Sequence, residues 1–519
     1  MQLRRDLIVA CLMVQNLMAQ TPLIDVIPGG LESNEPSLAI YPNNPNVQIL
    51  GSNTDYFFIS EDAGYNWKFI SLKPKEGFYG DPVTYIDKQG RFYLASLSQN
   101  PGLEWPEHFD RIVLQTSDDN GQTWKSSGIG YRPGKMQDKP WIAVDENKAS
   151  SYKGSVYVSW TEFDKYGSKD SRDSSRIRFA FRRYDSDTFT TAVVSDTCGD
   201  AIDNDGTLEG ATCAVGVWGE IYCVWAGKNK IWMDVSHNGG KTWGVDQVIA
   251  EQTGGWAIVA DIPGLMRSNN MPFIKSDARG NLYLVYGDKR NGDYDIFLKM
   301  SSDGGKIWTE DIRLNNDTKG NGRDQYMPHI AMDVSSSILY AVWYDRRHSE
   351  NNIYTDVYLR AVVKGKPGKE YRITNQSFCP PGKKVFFGDY IAVAAYKGII
   401  RAAFTDFDNQ SALTSVKIAA LSEGFVKRNA ETPKSAYMEM SVLPDTTLFL
   451  VHFALPRMKS CTLEMSRGRQ ILHKQLFDPL HAEEQEVALP LNKIPPGVYK
   501  VSLSAKGSKM TRELYIGKP

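Results

Sequence analysis

Seven short polar segments, each lying just before an apolar stretch of alternating pattern, carry the side chains that are best suited to chemistry. They supply carboxylates, guanidinium groups and phenols, namely Glu35, Asp81, Asp138, Glu209, Arg267, Arg323, Tyr326, Asp389 and Tyr390. If the fold gathers these segments, the clustered charges would hold one carboxyl group protonated beside an ionised one, as glycoside hydrolysis requires. Taken singly, each residue could instead be an ordinary loop residue that caps backbone N–H groups.

The elements that would gather these segments repeat along the chain. Each copy begins with a polar residue, continues through Pro or a small residue into one strand, and enters a second strand through Gly; the copies start at residues 34, 80, 138, 209, 270, 326 and 388. Each copy has the strands needed for one blade of a β-propeller. Seven copies predict an all-β, seven-bladed propeller, or six blades if the first and last copies combine where the ring closes. The first strand of a blade lines the central channel, so the polar segments would ring one mouth of that channel.

A second phrase, Ser-x-Asp/Asn-x-Gly-x-x-Trp, occurs four times, as SEDAGYNW, SDDNGQTW, SHNGGKTW and SSDGGKIW. Its Asp or Asn side chain can accept hydrogen bonds from backbone N–H groups two or three residues on, and Gly takes the positive φ that other residues resist. The Trp would pack the end of the hairpin. The residues with this structural role are Asp62, Trp67, Asp119, Trp124, Asn238, Trp243, Asp303 and Trp308.

These turns resemble the Asp-box, or bacterial neuraminidase repeat, of sialidases and of other secreted β-propellers. For sialidases, the resemblance implies a triad of arginines that clamps the sialic-acid carboxylate, a Tyr nucleophile paired with a Glu, and an Asp that acts as acid and base. Matched to this chain, the implied roles are clamps at Arg267 and Arg323, a nucleophile pair of Glu209 with Tyr326 or Tyr390, and an acid at Asp81. The chain departs from the sialidase pattern in its N-terminal phrase VIPGG, which lacks the arginine of Arg-Ile-Pro. A third clamp is therefore not assignable.

The leading hypothesis is an exported, sialidase-like exo-glycoside hydrolase in which Glu35, Asp138 and Asp389 also contact the glycan. Two alternatives stay open: a non-catalytic surface propeller that binds a glycan or a protein, and a polysaccharide lyase whose base would be His108, His329 or a Tyr. A nucleic-acid partner is not expected, because 60 Lys and Arg residues balance 61 Asp and Glu residues. The chain has no metal-site spacing, and no cofactor is predicted.

The N-terminus has the layout of a secretory signal peptide, with Arg4 and Arg5, an apolar stretch over residues 7–17 and a small residue at Ala19. We expect residues 1–20 to be the signal peptide, residues 21–430 to form the propeller, and the protein to be secreted or on the cell surface with no membrane span. Cys213 and Cys223 flank a predicted hairpin turn and would face each other, either as a disulfide or as two buried thiols.

Residues 431–519 contain short apolar strands at even spacing, which predicts a small antiparallel β-sandwich. The Gly-Arg pair at Gly468 and Arg469, the Pro-Gly-Val-Tyr turn that begins at Pro496, and a final strand with a basic residue resemble the C-terminal sorting domains of the type IX secretion pathway. The resemblance implies that the machinery of this pathway is a partner. The alternative is a generic carbohydrate-binding or spacer sandwich.

Overall fold

The computed structural model describes residues 23–27, 33–184, 186–256, 262–380, 382–408, 413–423, 437–442, 448–454, 461–468, 470–477, 485–490, 494–495, 497–505 and 508–516. The regular elements of these residues are all β-strands, so the prediction of an all-β chain is confirmed. They form two compact units, one within 23–423 and one within 437–516. The predicted signal peptide and the predicted domain boundary at residue 430 lie outside the described residues.

The first unit consists of seven four-stranded antiparallel sheets. Its first strand along the chain is β1 (Leu23–Ile27). The first sheet contains β2 (Ser37–Ile40), β3 (Gln48–Ser52), β4 (Tyr56–Ser60) and β5 (Lys68–Ile70). The second sheet contains β6 (Val83–Ile86), β7 (Phe92–Leu97), β8 (Ile112–Ser117) and β9 (Lys125–Ile129). The third sheet contains β10 (Met136–Val144), β11 (Val156–Phe163), β12 (Ser175–Arg182) and β13 (Thr190–Val193).

The remaining sheets follow the same order of strands. The fourth sheet contains β14 (Glu209–Val215), β15 (Ile221–Gly227), β16 (Lys230–Ser236) and β17 (Gln247–Glu251). The fifth contains β18 (Phe273–Ser276), β19 (Leu282–Asp288), β20 (Asp295–Ser301) and β21 (Ile312–Arg313). The sixth contains β22 (Gln325–Asp333), β23 (Ile338–Asp345), β24 (Asp356–Val363) and β25 (Lys366–Arg372). The seventh contains β26 (Ala392–Tyr396), β27 (Ile399–Asp408) and β28 (Leu413–Ser422), and β1 is its fourth strand.

The first strands of the seven sheets lie against one another in a closed cycle, in the order β2, β6, β10, β14, β18, β22, β26 and back to β2. A closed cycle of four-stranded antiparallel sheets is the arrangement of a β-propeller. The two ends of the unit meet in one sheet, because β1 pairs with β28 and aligns Leu23 with Ala419. The sequence analysis predicted seven blades and left six open if the first and last copies combined at the join, and here β1 supplies the outer strand that the seventh sheet would otherwise lack.

The four Ser-x-Asp/Asn-x-Gly-x-x-Trp turns connect the third and fourth strands of the first, second, fourth and fifth sheets. In each turn the Ser hydroxyl accepts the Gly N–H at 2.8–2.9 Å. In the three turns with Asp, the side chain accepts the backbone N–H groups of the residues three and four positions later, one position further than expected. In the fourth turn, Asn238 accepts the N–H group four positions later. Trp243 packs edge-on against Phe179 of the preceding sheet, with ring centroids 4.9 Å apart. These turns therefore stabilise hairpin ends and sheet packing.

Cys213 and Cys223 lie directly opposite each other in the β14–β15 hairpin, as predicted. Both are buried free thiols in the structure, so the disulfide alternative is not realised there. Burial raises the pKa of the Cys223 thiol well above its usual value, which keeps it protonated. Each side chain thus acts as a small apolar group in the packing between sheets.

The second unit contains two antiparallel sheets. The first consists of β29 (Tyr437–Val442), β30 (Leu448–Ala454) and a later strand, β33 (Gln485–Pro490). The other consists of β31 (Cys461–Arg467), β32 (Gln470–Phe477), β34 (Gly497–Ala505) and β35 (Ser508–Ile516). Side chains from both sheets, including Val451 and Leu463, belong to one apolar core. The even spacing of the strands in the sequence therefore yields antiparallel pairing, as predicted.

Candidate functional site

The first strand of several sheets is entered through a residue with unusual backbone geometry. Glu35, Asp81, Lys139 and Met327 have φ of 52°, 48°, 48° and 49°, in the left-handed region, and each precedes a proline. Gly210 has φ of 70° at the corresponding place in β14. A non-glycine residue held in this region costs about 1–3 kcal/mol and persists only where its surroundings fix it. Three of the four non-glycine residues are charged, and they meet in one cluster.

Eight charged side chains gather where six of the seven first strands begin, and we call them the acid–base cluster: Glu35, Asp81, Asp138, Lys139, Asp203, Glu209, Arg267 and Asp389. The entries contribute Asp, Glu, Lys and Arg side chains, and three of the eight residues, Glu35, Asp81 and Lys139, directly precede a proline. The cluster contains six acids and two bases. Most of it is buried, with partial exposure at Asp81 and Arg267.

Asp389 is the ionised centre of the acid–base cluster. The Arg267 guanidinium binds it with two hydrogen bonds, Nε to Oδ1 at 2.9 Å and Nη2 to Oδ2 at 2.5 Å, and Lys139 Nζ donates to Oδ2 as well. Burial alone would raise the pKa of Asp389, but Arg267 and Lys139 outweigh it and lower the pKa to about 2. The Asp389 N–H donates to Glu35 Oε1 at 2.9 Å. Both cations of the cluster are therefore engaged by this carboxylate.

Glu209 is the opposite case. It is 1 % exposed, and neither of its carboxyl oxygens accepts an N–H or hydroxyl group of the described residues. Burial, and then the charges of Asp203 and Asp138, raise its pKa well above the usual value for Glu. Glu209 thus holds its proton more tightly than an ordinary Glu side chain does. A side-chain hydrogen bond with this second acid, Asp203, also raises the pKa of Glu209.

Two further carboxyl groups also hold protons more tightly than usual. Burial, followed by the charge of Asp81, raises the pKa of Glu35 well above its usual value, although Asn53 Nδ2 donates to Glu35 Oε2 at 2.6 Å. Burial raises the pKa of Asp138 to about 7 against the opposing effect of Lys139. The cluster therefore places protonated and ionised carboxyl groups side by side, as the sequence analysis expected of a hydrolytic site.

An aromatic rim borders the cluster on one side. Tyr166 donates its hydroxyl to Asp203 Oδ2 at 2.5 Å, and Trp256 Nε1 donates to Asp203 Oδ1 at 2.9 Å. The Trp105 ring lies edge-on to Tyr166 with centroids 6.0 Å apart, and Trp105 is 61 % exposed. A large exposed indole next to a buried polar cluster offers a stacking surface for a ligand.

Aromatic rings adjoin the cluster on the channel side. Trp141 contacts Phe273, His329 and Tyr390, with ring centroids 5.1, 5.8 and 5.8 Å away. His329 Nδ1 accepts the Val393 N–H at 3.1 Å, and burial lowers its pKa to about 3. His329 is therefore neutral. A cavity of about 320 Å³ is lined by residues of all seven first strands, including Trp141 and His329.

The structure brings together seven of the nine predicted site residues and separates two. Glu35, Asp81, Asp138, Glu209, Arg267 and Asp389 belong to the cluster, and Tyr390 adjoins it through its neighbour in the chain. Tyr326 instead belongs to an apolar core. Its hydroxyl forms a hydrogen bond with Thr355 Oγ1 at 3.0 Å, and its ring lies against the Arg346 guanidinium. Arg323 makes no polar contact with the described residues of the cluster, and its N–H donates to Asn321 Oδ1 at 2.8 Å.

The pairing of Glu209 with a tyrosine, which the resemblance implied, is absent among the described contacts. The Tyr390 hydroxyl donates to the Pro82 carbonyl at 3.1 Å, and burial, then the charge of Glu35, raises the pKa of Tyr390 well above its usual value. Its phenol is therefore a poor nucleophile. Within the acid–base cluster it is Asp203 that pairs with a tyrosine, Tyr166.

Sequence reasoning missed Lys139, Asp203 and Tyr166 in the site, together with Trp105 and Trp256 of the aromatic rim. Lys139 could have been found, because it precedes Pro140 as Glu35 precedes Pro36, whereas the prediction chose its neighbour Asp138. Asp203 begins the segment DNDG, which forms an ordinary turn with Asn204 Oδ1 accepting the Gly206 N–H at 2.7 Å. Tyr166 lies in a connection between β11 and β12 and carries no sequence signal. Within the described part of the chain, no group of three or more His, Cys, Asp or Glu side chains is arranged to hold a metal ion.

No protein-family model matches this chain, and no curated protein matches it. Solved structures that resemble it include the Hadza microbial sialidase Hz136, with 12% identity, a TM-score of 0.41 and coverage of 74% of this chain and 75% of that one. The phage phi92 endosialidase gives 12% identity, a TM-score of 0.43 and coverage of 84% and 74%. YCF48 from Cyanidioschyzon merolae gives 11% identity, a TM-score of 0.41 and coverage of 78% and 99%. Because each of these TM-scores is below 0.5, the likeness assigns no activity to this chain.

Proposed function

We propose that this protein is an exported glycoside hydrolase, that its first unit is a seven-bladed β-propeller, and that the acid–base cluster is its active site. The observation that carries the proposal is Glu209, a buried carboxylic acid with a raised pKa whose oxygens accept no N–H or hydroxyl group of the described residues. A structural carboxyl group in such a position would have donors around it, since a buried polar atom without them is destabilising by about 1–3 kcal/mol. A group that must pass its proton to a substrate needs no such donors in the free enzyme.

Glu209 is the general acid in this proposal and protonates the oxygen of the scissile glycosidic bond. The carboxylate of Asp81 acts on the other side of the glycosidic bond, either as a general base that activates water or as a nucleophile that attacks the anomeric carbon. Asp81 Oδ2 accepts no N–H group of the described residues, and Lys139 Nζ lies 3.7 Å from it. These roles reverse those that the sialidase resemblance implied, where Asp81 was the acid and Glu209 supported the nucleophile.

Asp389 positions the two cations rather than reacting. Arg267 and Lys139 are both bound to it, and Arg267 Nη1 also donates to Asp203 at 3.3 Å. Their positive charge lowers the pKa of Asp389 to about 2, and Arg267, the partly exposed member, can turn a donor to a sugar hydroxyl. Trp105 supplies the exposed aromatic face on which a sugar ring would stack.

The remaining parts of the chain are assigned on sequence grounds. We propose that the four Ser-x-Asp/Asn-x-Gly-x-x-Trp turns are Asp-boxes, that residues 1–20 are a signal peptide, and that residues 431–519 form a sorting sandwich for the type IX secretion pathway. The protein would then be secreted or held at the cell surface. No helix of the described residues has the length and apolarity of a membrane span.

Release of sugar from a panel of glycans tests this function. We expect the full-length protein to release product from at least one sialoside or plant or algal polysaccharide, and Glu209→Gln to lower the rate by about 100-fold or more, because the amide cannot donate an acidic proton. Glu220→Gln is the matched control, since Glu220 lies in the turn after β14 at the far end of that strand. Release that Glu209→Gln leaves unchanged, or no release by the wild type, would rule out the hydrolase.

A non-catalytic glycan-binding protein is the second candidate, and one observation favours it. Trp105 is exposed while both cations of the cluster are engaged by acids of the protein itself. A protein of this kind would bind an oligosaccharide through the aromatic rim and leave it intact. In the same panel it would retain a glycan, lose that binding on Trp105→Ala, and show no product.

A further inference from the structure

A second cluster of charges lies on the third sheet, at the same end as Asp138, and contains an excess of positive charge. We call it the basic cluster: Arg132, Lys135, Arg176 and Arg178, with the acids Glu162 and Asp164. Four cations face two carboxylates. In the β10–β11 register Glu162 is paired with Gln137, next to the pair of Asp138 with Thr161. The basic cluster is thus directly adjacent, along the same strands, to the entry that supplies Asp138 to the acid–base cluster.

Arg132 and Arg176 share one acceptor of this cluster, the Oε1 atom of Glu162. Both donate to Glu162 Oε1, at 3.2 and 3.0 Å. Arg176 also binds both oxygens of Asp164 at 2.9 Å, and Lys135 donates to Asp164 at 2.7 Å. Three of the four cations are therefore satisfied by the two acids of the cluster.

Arg178 is the fourth cation and is not satisfied. It is 8 % exposed, yet its side chain makes no hydrogen bond among the described residues, and its nearest acid contact is a 3.9 Å separation between Nε and Glu162 Oε2. That Glu162 oxygen has no hydrogen-bond partner among them either. A buried Nε–H without a hydrogen-bond partner is unfavourable, and an anion bound at this guanidinium would supply one.

The position of Arg178 defines how far this anion lies from the proposed hydrolytic site. Arg178 is paired with Trp160 of β11 and lies on the third strand of the sheet. Adjacent strands are about 4.8 Å apart, so Arg178 lies about 10 Å outward from the strand of Asp138. Arg132, with a side chain 43 % exposed, forms the solvent side of the cluster. An extended ligand could therefore contact the basic cluster and the channel mouth together.

We propose that the basic cluster is a binding site for an acidic group, carboxylate or sulfate, on an extended glycan, with Arg178 as its central donor. Guanidinium groups bind both groups through paired hydrogen bonds. The glycan nature of the ligand rests on the proposed function, whereas the anion site itself does not. The site would give the protein a preference for acidic polysaccharides without any arginine clamp inside the channel.

Calorimetric titration of the full-length protein tests this site independently of activity. The probes are a tetragalacturonide, a sulfated galactan oligosaccharide of the same length, a neutral cello-oligosaccharide and inorganic sulfate. We expect one or both acidic oligosaccharides to bind, and the one that binds identifies the anion. The neutral oligosaccharide should bind at least tenfold more weakly. Arg178→Gln should weaken acidic binding at least tenfold.

Two further variants make the result decisive. Arg172→Gln is the matched control, because Arg172 lies in the connection between β11 and β12, exposed and paired with Asp170 outside the cluster; it should bind as the wild type does. Arg132→Gln, at the solvent side, should weaken acidic binding about threefold, which tests the site even if Arg178→Gln does not fold. Wild-type binding that Arg178→Gln and Arg132→Gln leave unchanged, binding of sulfate ion alone, or no acidic binding would overturn the proposal. Loss of acidic binding in Arg178→Gln, together with full activity in Glu209→Gln, would retain the anion site and reject the hydrolase.

Discussion

The first unit contains two repeated features, the Ser-x-Asp/Asn-x-Gly-x-x-Trp turns and the entries to the first strands, and they differ in whether side chains or backbone geometry are repeated. The four Ser-x-Asp/Asn-x-Gly-x-x-Trp turns keep the same side chains, and their Ser and Asp or Asn groups bond mainly within the turn. Four of the strand entries share a backbone geometry, with positive φ before proline at Glu35, Asp81, Lys139 and Met327, while the side chain differs at each. Carboxyl oxygens that accept no N–H group of the described residues occur at two of the entries, at Asp81 and Glu209. A repeat of side chains thus marks the scaffold, and a repeat of backbone with varied side chains marks the place for chemistry.

The largest expected effect on stability is at the strand entries. Asp389→Asn would leave the buried charges of Lys139 and Arg267 without their shared carboxylate, and we expect a loss of about 3–5 kcal/mol in the free energy of unfolding, measured by urea denaturation. Asp118→Asn is the control, since the pair of Asp118 with Arg91 is largely exposed and contributes about 0–1 kcal/mol. Equal effects of the two substitutions would contradict the account of Asp389 as the charge centre.

The pH dependence of stability is the second test of the strand entries. The pKa of Asp138 is about 7 in the folded protein, against about 3.9 in an unfolded chain. Between these values the folded state holds a proton that the unfolded state lacks, so stability falls as pH rises from about 4 to about 7, by at most about 4 kcal/mol. Asp138→Asn should flatten this slope in urea denaturation at several pH values. The raised pKa values of Glu35 and Glu209 also make stability fall as pH rises, so part of the slope should remain in this variant. An unchanged slope in Asp138→Asn would show that its carboxyl group titrates normally.

The scaffold turns should give a smaller effect, on stability alone. Ser301→Ala removes the acceptor of the Gly305 N–H and the donor to Asp303, and we expect a loss of about 1–2 kcal/mol in the free energy of unfolding with unchanged product release. Ser302→Ala, at the exposed neighbouring position, should stay within about 0.5 kcal/mol. A loss of activity in Ser301→Ala without loss of stability would contradict the division between scaffold and site.

The smallest expected effect is at a residue that the sequence placed in the site. Arg323→Gln should keep product release within about twofold of the wild type, because Arg323 makes no polar contact with the described residues of the acid–base cluster. Arg267→Gln should lower it at least tenfold, since Arg267 holds Asp389 and Asp203. Matching losses in both variants would place Arg323 at the mouth after all.

The sequence predicted the fold in more detail than the site. The repeated polar residue, Pro and apolar strand predicted the first strand of every sheet, because the same phrase recurs in the sequence before each of these strands. The turns were predictable because their hydrogen bonds are local, within a few residues of Ser60, Ser117, Ser236 and Ser301.

The site was predicted in part because its contacts are distant in the chain. Lys139 and Asp389 are 250 positions apart, and no local pattern shows that one neutralises the other. Tyr326 was misplaced because it aligns with Asp138 in the repeat, while its side chain enters the apolar core beside Tyr344. The raised pKa of Glu209 depends on burial by other sheets, which spacing along the chain does not reveal.

The most direct test of the account is a crystal structure of the Glu209→Gln variant soaked with an oligosaccharide that the wild type cleaves. The account predicts a sugar bound at the channel mouth, with its glycosidic oxygen about 3 Å from the side chain at position 209 and a ring stacked on Trp105. A sugar bound only elsewhere on the molecule, with the acid–base cluster unoccupied, would contradict it.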